Sequence, residues 1–203
     1  IPDASSVYHA REIFRNTPVK IVQGKQFLGS FIGTDALEKE YVPEKIQKWQ
    51  TAATCLSEAG AEKPQAAFAI TVKSFIPECT FLQRVIPDIA EDFKPIEKII
   101  KEKLIPKLFG LSEDETPSLQ LTKLPIRYGG LGIPDLTIQG AELYEASLAC
   151  CDHLASSLRS AHPPFSLAEH LQQVKTTHDE RKNLRAQHHK DTIAILIGDG
   201  PDA

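Results

Sequence analysis

The stretch Leu124-Pro125-Ile126-Arg127-Tyr128-Gly129-Gly130-Leu131-Gly132-Ile133-Pro134 constrains this chain more than any other. Helical patterns run up to it from both sides, yet three glycines in four residues and a proline at each flank exclude a helix through it. Leu124, Ile126, Leu131 and Ile133 are apolar and are expected to anchor both ends in a core. Gly129, Gly130 and Gly132 allow φ > 0 or the close approach of another backbone or a ligand. Two readings stay open: a structural turn between helical layers, or a loop that meets a ligand.

The regions on either side are read from apolar spacing. Val7–Phe14 fits a short helix. Val19–Val22 and Gln26–Gly33 read as two strands joined by a turn at Gln23-Gly24-Lys25, a β-hairpin. A lone hairpin is marginal in water, so it must pack on helices. From Asp35 the period becomes helical, with Tyr41, Val42, Ile46, Trp49, Ala53 and Leu56 on one face, Pro43 in the first turn and Gly60 as the stop. A second helix starts at Pro64 and is interrupted at Pro77, and its apolar face runs on to Pro87. Asp88–Leu108 is a third helical stretch that Pro95 kinks or divides. Its lysines are matched by glutamates and read as a solvated face.

Beyond the glycine stretch, Asp135–Leu158 reads as a long helix with Leu136, Leu143, Ala146, Leu148 and Leu154 inside and at least one of Cys150 and Cys151 buried. Ser166-Leu167-Ala168-Glu169 matches a capping box, which opens a last helix with a thin apolar stripe and a basic, His-rich segment at Arg181–Lys190. The expected fold is mainly α: a helical bundle of about four or five helices with a small N-terminal β-hairpin. The divisions are 1–34, a hairpin end; 35–160, a helical domain; and 161–203, a loosely attached C-terminal helix and tail.

Composition excludes several function classes. The 203 residues are 41% apolar and 25% charged, with a net charge of −4, so a strongly basic nucleic-acid binder acting through overall charge is excluded, while a locally basic face is not. Four cysteines without a CxxC pair point to a reducing, intracellular setting, nuclear or cytoplasmic. No apolar run reaches ~18 residues, so no membrane span is expected. The chain contains no methionine and opens on Ile1, which reads as a piece of a longer product. The acidic run Glu113-Asp114-Glu115 is a poor metal site, since consecutive side chains do not converge on one ion. His178, His188 and His189 lack a partner at ligand spacing. Phosphate-loop, dinucleotide, zinc-protease and nucleophile-elbow patterns are absent, as is the Tyr/Phe-x-Asp-Asp pair that would hold two metal ions.

Two stretches resemble the C-terminal part of non-LTR retrotransposon reverse transcriptases. Gly24-Lys25-Gln26-Phe27-Leu28-Gly29-Ser30-Phe31-Ile32-Gly33 resembles the hairpin that follows the palm, and Leu124-Pro125 through Gly129-Gly130-Leu131-Gly132-Ile133 resembles an LP-x-R-x-GGLGI signature downstream of it. Trp49, Pro64-Gln65-Ala66-Ala67, Phe81-Leu82-x-Arg84, Pro87-x-Ile89 and Pro95-Ile96-Glu97 follow a similar order between them, so the likeness covers about residues 19–160. The resemblance implies a thumb-and-connection region that positions an RNA–DNA or RNA template–primer duplex through backbone contacts. It implies that Phe27, Leu28 and Gly29 form a primer-grip turn with Lys25 beside it, and that Arg127 touches a phosphate next to Gly129 and Gly130. The alternative for Arg127 is a salt bridge to an acidic helix. The fingers and palm, with the family's catalytic aspartates and Mg, have no counterpart here, so no catalytic residue, metal or cofactor is expected in this chain. The other class of function left open is a helical protein-interaction module that works through the hairpin edge.

Overall fold

The computed structural model describes residues 4–111, 119–160 and 165–198. It is mainly helical with a small two-stranded antiparallel sheet, as expected. The order is α1 (Ala4–Ile13), β1 (Gly24–Phe27), β2 (Ser30–Gly33), α2 (Asp35–Glu62), α3 (Pro64–Ile70), α4 (Ile76–Val85), α5 (Lys94–Ile99), α6 (Ile105–Phe109), α7 (Leu119–Lys123), α8 (Gly140–Arg159) and α9 (Leu167–Ile197). α3 runs into α4, and α5 into α6, so the long elements among the described residues are five helical rods.

The joints inside two of those rods share one device. A π-turn at Thr71–Phe75 precedes Ile76-Pro77, and a second at Ile100–Leu104 precedes Ile105-Pro106. Ile76 N–H donates to the Thr71 carbonyl and Ile105 N–H to the Ile100 carbonyl, five residues back. Proline has no N–H and crowds the carbonyl four residues before it, and a wider turn at that point relieves the crowding without ending the rod. Pro77 is therefore crossed, where a break is expected from sequence. Pro95 divides as anticipated, because α5 begins beside it after a 3₁₀ turn at Glu91–Phe93. Pro43 lies two turns inside α2 rather than in its first turn. It sits on the exposed face, where the carbonyl it leaves unpaired meets water.

α2 buries Val42, Ile46, Trp49, Ala53, Ser57 and Gly60 at helical spacing. Gly60 does not stop the helix; it is buried and packs against Leu104 and Leu108. The Trp49 and Phe93 rings lie 5.8 Å apart at the centre of a core that also holds Leu82, Ile96, Ile100, Leu104 and Leu136. α4 packs on α8 and α8 on α9, so α9 is tied to the bundle mainly through α8, and only Thr177 on it is buried. Ser166 caps α9 as expected, its hydroxyl accepting from the Glu169 N–H at 3.4 Å.

The hairpin exists, but with a different turn. Lys25 pairs with Ile32 and Phe27 with Ser30, so the loop is Leu28-Gly29, and Val19–Val22 forms no strand. Leu28 (φ 49°) and Gly29 (φ 85°) both take the positive φ of a two-residue hairpin turn, whose twist matches that of the strands. Phe31 stacks on Tyr41 of α2 at 5.4 Å, which docks the hairpin on the bundle.

α8 begins at Gly140, not at Asp135, because Asp135–Gln139 forms a polar turn ahead of it. Leu148 and Leu154 are exposed, Cys150 is half-buried and Cys151 is exposed; the buried thiol is Cys79, which burial pushes up well above its ordinary value. The run Glu113–Glu115 lies outside the described residues. Among the described residues no His, Cys, Asp and Glu group could hold a metal ion, and no helix is long and apolar enough to cross a membrane.

Candidate nucleic-acid interface

The glycine-rich loop is a closed structure. Leu124 and Ile133 are buried, Leu131 packs on the core, and Ile126 is 68% exposed, so it is not the anchor that its apolar character suggests. A 3₁₀ turn at Ile126–Tyr128 is ended by Gly129 at φ 80°. Gly129 N–H donates to the Ile126 carbonyl at 2.9 Å, Gly130 N–H to Pro125 at 3.3 Å and Gly132 N–H to Leu124 at 2.8 Å. A side chain on Gly130 would collide with the carbonyls of Leu121 and Leu124. These glycines therefore shape the loop, and their N–H groups are already engaged.

A buried polar lock fixes that loop to the bundle. Asp135 accepts from Lys123 Nζ at 2.8 Å, Lys101 Nζ at 3.2 Å and Thr137 N–H at 3.0 Å. Glu97 accepts from Leu136 N–H at 3.4 Å, and Gln83 donates to the Leu136 carbonyl. Burial alone would raise the Asp135 carboxyl, but hydrogen bonds from Lys123 and Thr137 and the Lys123 charge hold it well below the usual carboxylate range. Glu97 shifts the other way, pushed up by burial and by the Asp135 charge.

The lock leaves Arg127 outside. Its guanidinium is exposed and lies 4.8 Å from the centre of the Tyr128 ring. It forms no ion pair among the described residues, so the alternative of a salt bridge to an acidic helix is not realised there. The opposite wall is α9. Tyr128 leans on His189 at 5.9 Å, and His189 is held below its ordinary value by burial, then by Arg127, His188 and Arg185. Arg181, Arg185 and His189 recur every four residues, along one face of α9. Arg181 in turn feels Arg185 and Arg84, with Glu142 opposing them from α8.

Arg84 links this cluster to the hairpin. Phe81 of α4 lies under the hairpin turn, 3.5 Å from where a Gly29 side chain would begin, and the Gly29 carbonyl accepts from Tyr41 Oη at 3.1 Å. Arg84 is one helical turn beyond Phe81 on the same exposed face. Lys25, Phe27 and Leu28 are exposed at the hairpin, with Leu28 at 81%. The hairpin turn thus meets α4 at Phe81, one helical turn from Arg84, while Arg127 lies with Tyr128 and His189 on the α9 side. Arg84, Arg181, Arg185 and His189 were not singled out from sequence as binding groups. Arg181, Arg185 and His189 carry only their four-residue spacing inside the basic segment, and Arg84 only its place in the Phe81-Leu82-x-Arg84 stretch. No protein-family model matches the chain, and no curated protein or solved structure matches it either.

Proposed function

We propose that this chain holds a nucleic-acid duplex by its backbone, as the thumb-and-connection region of an RNA-directed DNA polymerase would, without carrying catalysis itself. The observation that supports this reading most is the succession of arginines in a chain of net charge −4: Arg84 near Arg181, Arg181 near Arg185, and Arg185 and Arg127 both near His189, with Tyr128 beside Arg127. None of the four arginines forms an ion pair among the described residues, although ion pairs hold several of the bundle's lysines. The exposed guanidinium groups of Arg84, Arg127 and Arg185 suit a row of phosphates, because each contact releases counterions and none needs a particular base. The hairpin turn, apolar and exposed at Phe27 and Leu28, would bear on the sugar face of a strand end, with Lys25 close to a phosphate.

The test is binding of a labelled RNA–DNA hybrid to the purified chain at two salt concentrations. With about three phosphates neutralised, affinity should fall about 40-fold between roughly 50 and roughly 200 mM salt. Arg127→Ala should weaken binding about fivefold at low salt, with unchanged circular dichroism. An unchanged affinity in the folded variant removes Arg127 from the interface. A second reading is favoured by the exposed apolar hairpin side chains Phe27, Leu28 and Ile32: capture of a protein partner. Salt-insensitive capture with no hybrid binding would select it.

A further inference from the structure

We propose that Arg181, flanked by Arg84 and Arg185, seats a single dianionic phosphate monoester between α4, α8 and α9. The inference rests on the duplex reading only for the source of that phosphate. Nε and one terminal nitrogen of Arg181 are shut off from water and have no acceptor. An arginine presents its donors as a planar fork that matches two oxygens of one phosphate, and leaving such donors unpaired and dry is costly. The surroundings show what is missing. The charged groups facing Arg181 are Arg185 on its own helix, Arg84 on α4 and Glu142 on α8, with the Cys150 thiol also near from α8. Three guanidinium groups against one carboxylate leave a charge of +2, and Glu142 is not within ion-pair distance of any of them. Burial, then Arg185 and Arg84, hold the Arg181 guanidinium below its ordinary value, the direction expected of a cation without its counter-ion.

The ligand class follows from the charge. A phosphodiester or a carboxylate brings one negative charge and leaves the cluster positive, whereas a monoester near neutral pH brings almost two and offers three oxygens. Arg84 and Arg185 are exposed, and Arg181 is half-buried. A monoester can come from the end of a nucleic-acid strand or from free phosphate. Both would bind the same fork.

The experiment uses the full chain. Inorganic phosphate is titrated while the Arg181 Nε–H resonance is followed by NMR. Affinity is then measured for two RNA–DNA hybrids that differ only in bearing phosphates or hydroxyls at their strand ends. A strand-end site predicts about tenfold tighter binding of the phosphorylated hybrid, with the gain abolished in Arg181→Gln and in Arg84→Gln. Arg84 is exposed, so its variant keeps the test valid if Arg181→Gln fails to fold. A shift of Arg181 Nε–H by inorganic phosphate, with both hybrids binding equally or neither binding, upholds the monoester site and assigns it to free phosphate. Hybrids that bind equally, with an Arg181 resonance that inorganic phosphate does not move, overturn the site and leave the duplex reading standing. If no hybrid binds and no resonance moves, both fall.

Discussion

Replacing Asp135 by asparagine should cost far more than replacing its neighbour Glu97 by glutamine, though both are buried carboxylates in one network. Asp135 is 7% exposed in its side chain and is the shared acceptor of Lys123 and Lys101. Removing a buried partner from an ion pair costs about 3–5 kcal/mol. Here Lys123 and Lys101 are 33% and 30% exposed, so water recovers part of their charge and a cost of about 2–3 kcal/mol is expected. In a chain of this size that corresponds to a melting temperature about 4–12 °C lower. Glu97→Gln keeps an acceptor for Leu136 N–H and removes a charge that burial and Asp135 disfavour, so stability at pH 7 should rise, by up to about 1 kcal/mol.

The two carboxylates also carry opposite pH signs. Asp135 has a lowered folded value, so its stabilisation is present above the ordinary aspartate value near 3.8 and is lost as pH falls through the folded value. Glu97 has a raised folded value, so its penalty is present at pH 7 and is relieved as pH falls through that value towards 4.5. Urea unfolding of the parent and both variants at pH 7, in the window just above pH 4.5, and below the ordinary aspartate value near 3.8 measures both effects. Equal destabilisation by the two substitutions, or a cost below about 0.5 kcal/mol for Asp135→Asn, would refute the assignment of Asp135 as the anchor of the loop.

Two further perturbations probe the loop and the hairpin. Gly130→Ala should destabilise by about 1–3 kcal/mol, because the new methyl meets backbone carbonyls that cannot swing aside; a melting curve identical to the parent's would show that the loop yields. Leu28→Asn should stabilise the hairpin locally by about 0.5–1 kcal/mol, since asparagine tolerates the positive φ that leucine adopts there. Slower amide hydrogen exchange at the β1–β2 pairs is the expected readout, and faster exchange would mean that exposed Leu28 makes a compensating contact.

Local pattern alone determined much of this fold. The α2 stripe through Val42, Ile46, Trp49 and Ala53, the cap at Ser166, the division at Pro95 and the existence of a hairpin near Gly24–Gly33 all follow from spacing and from residues whose preferences act within a few positions. Arg127 enters only through the resemblance of its loop to the LP-x-R-x-GGLGI signature, not through local pattern. Where neighbours along the chain compete, pattern was not enough. Gly24 and Gly29 both offer a turn, and the choice fell to Leu28-Gly29 because that register lets Phe31 stack on Tyr41 of α2. The interruption expected at Pro77 is absent because a π-turn absorbs the proline while Phe75, Ile76 and Cys79 are held in the core.

The candidate site belongs to tertiary structure. Asp135 meets Lys101 across 34 positions and Glu97 meets Leu136 across 39, and Arg84 faces Arg181 only because α4 packs on α8 and α8 on α9. Periodicity records which face of a helix is apolar; it does not record which helix covers that face. The charge of a site is set by that second fact, and so a chain with net charge −4 can bring four arginines to one side.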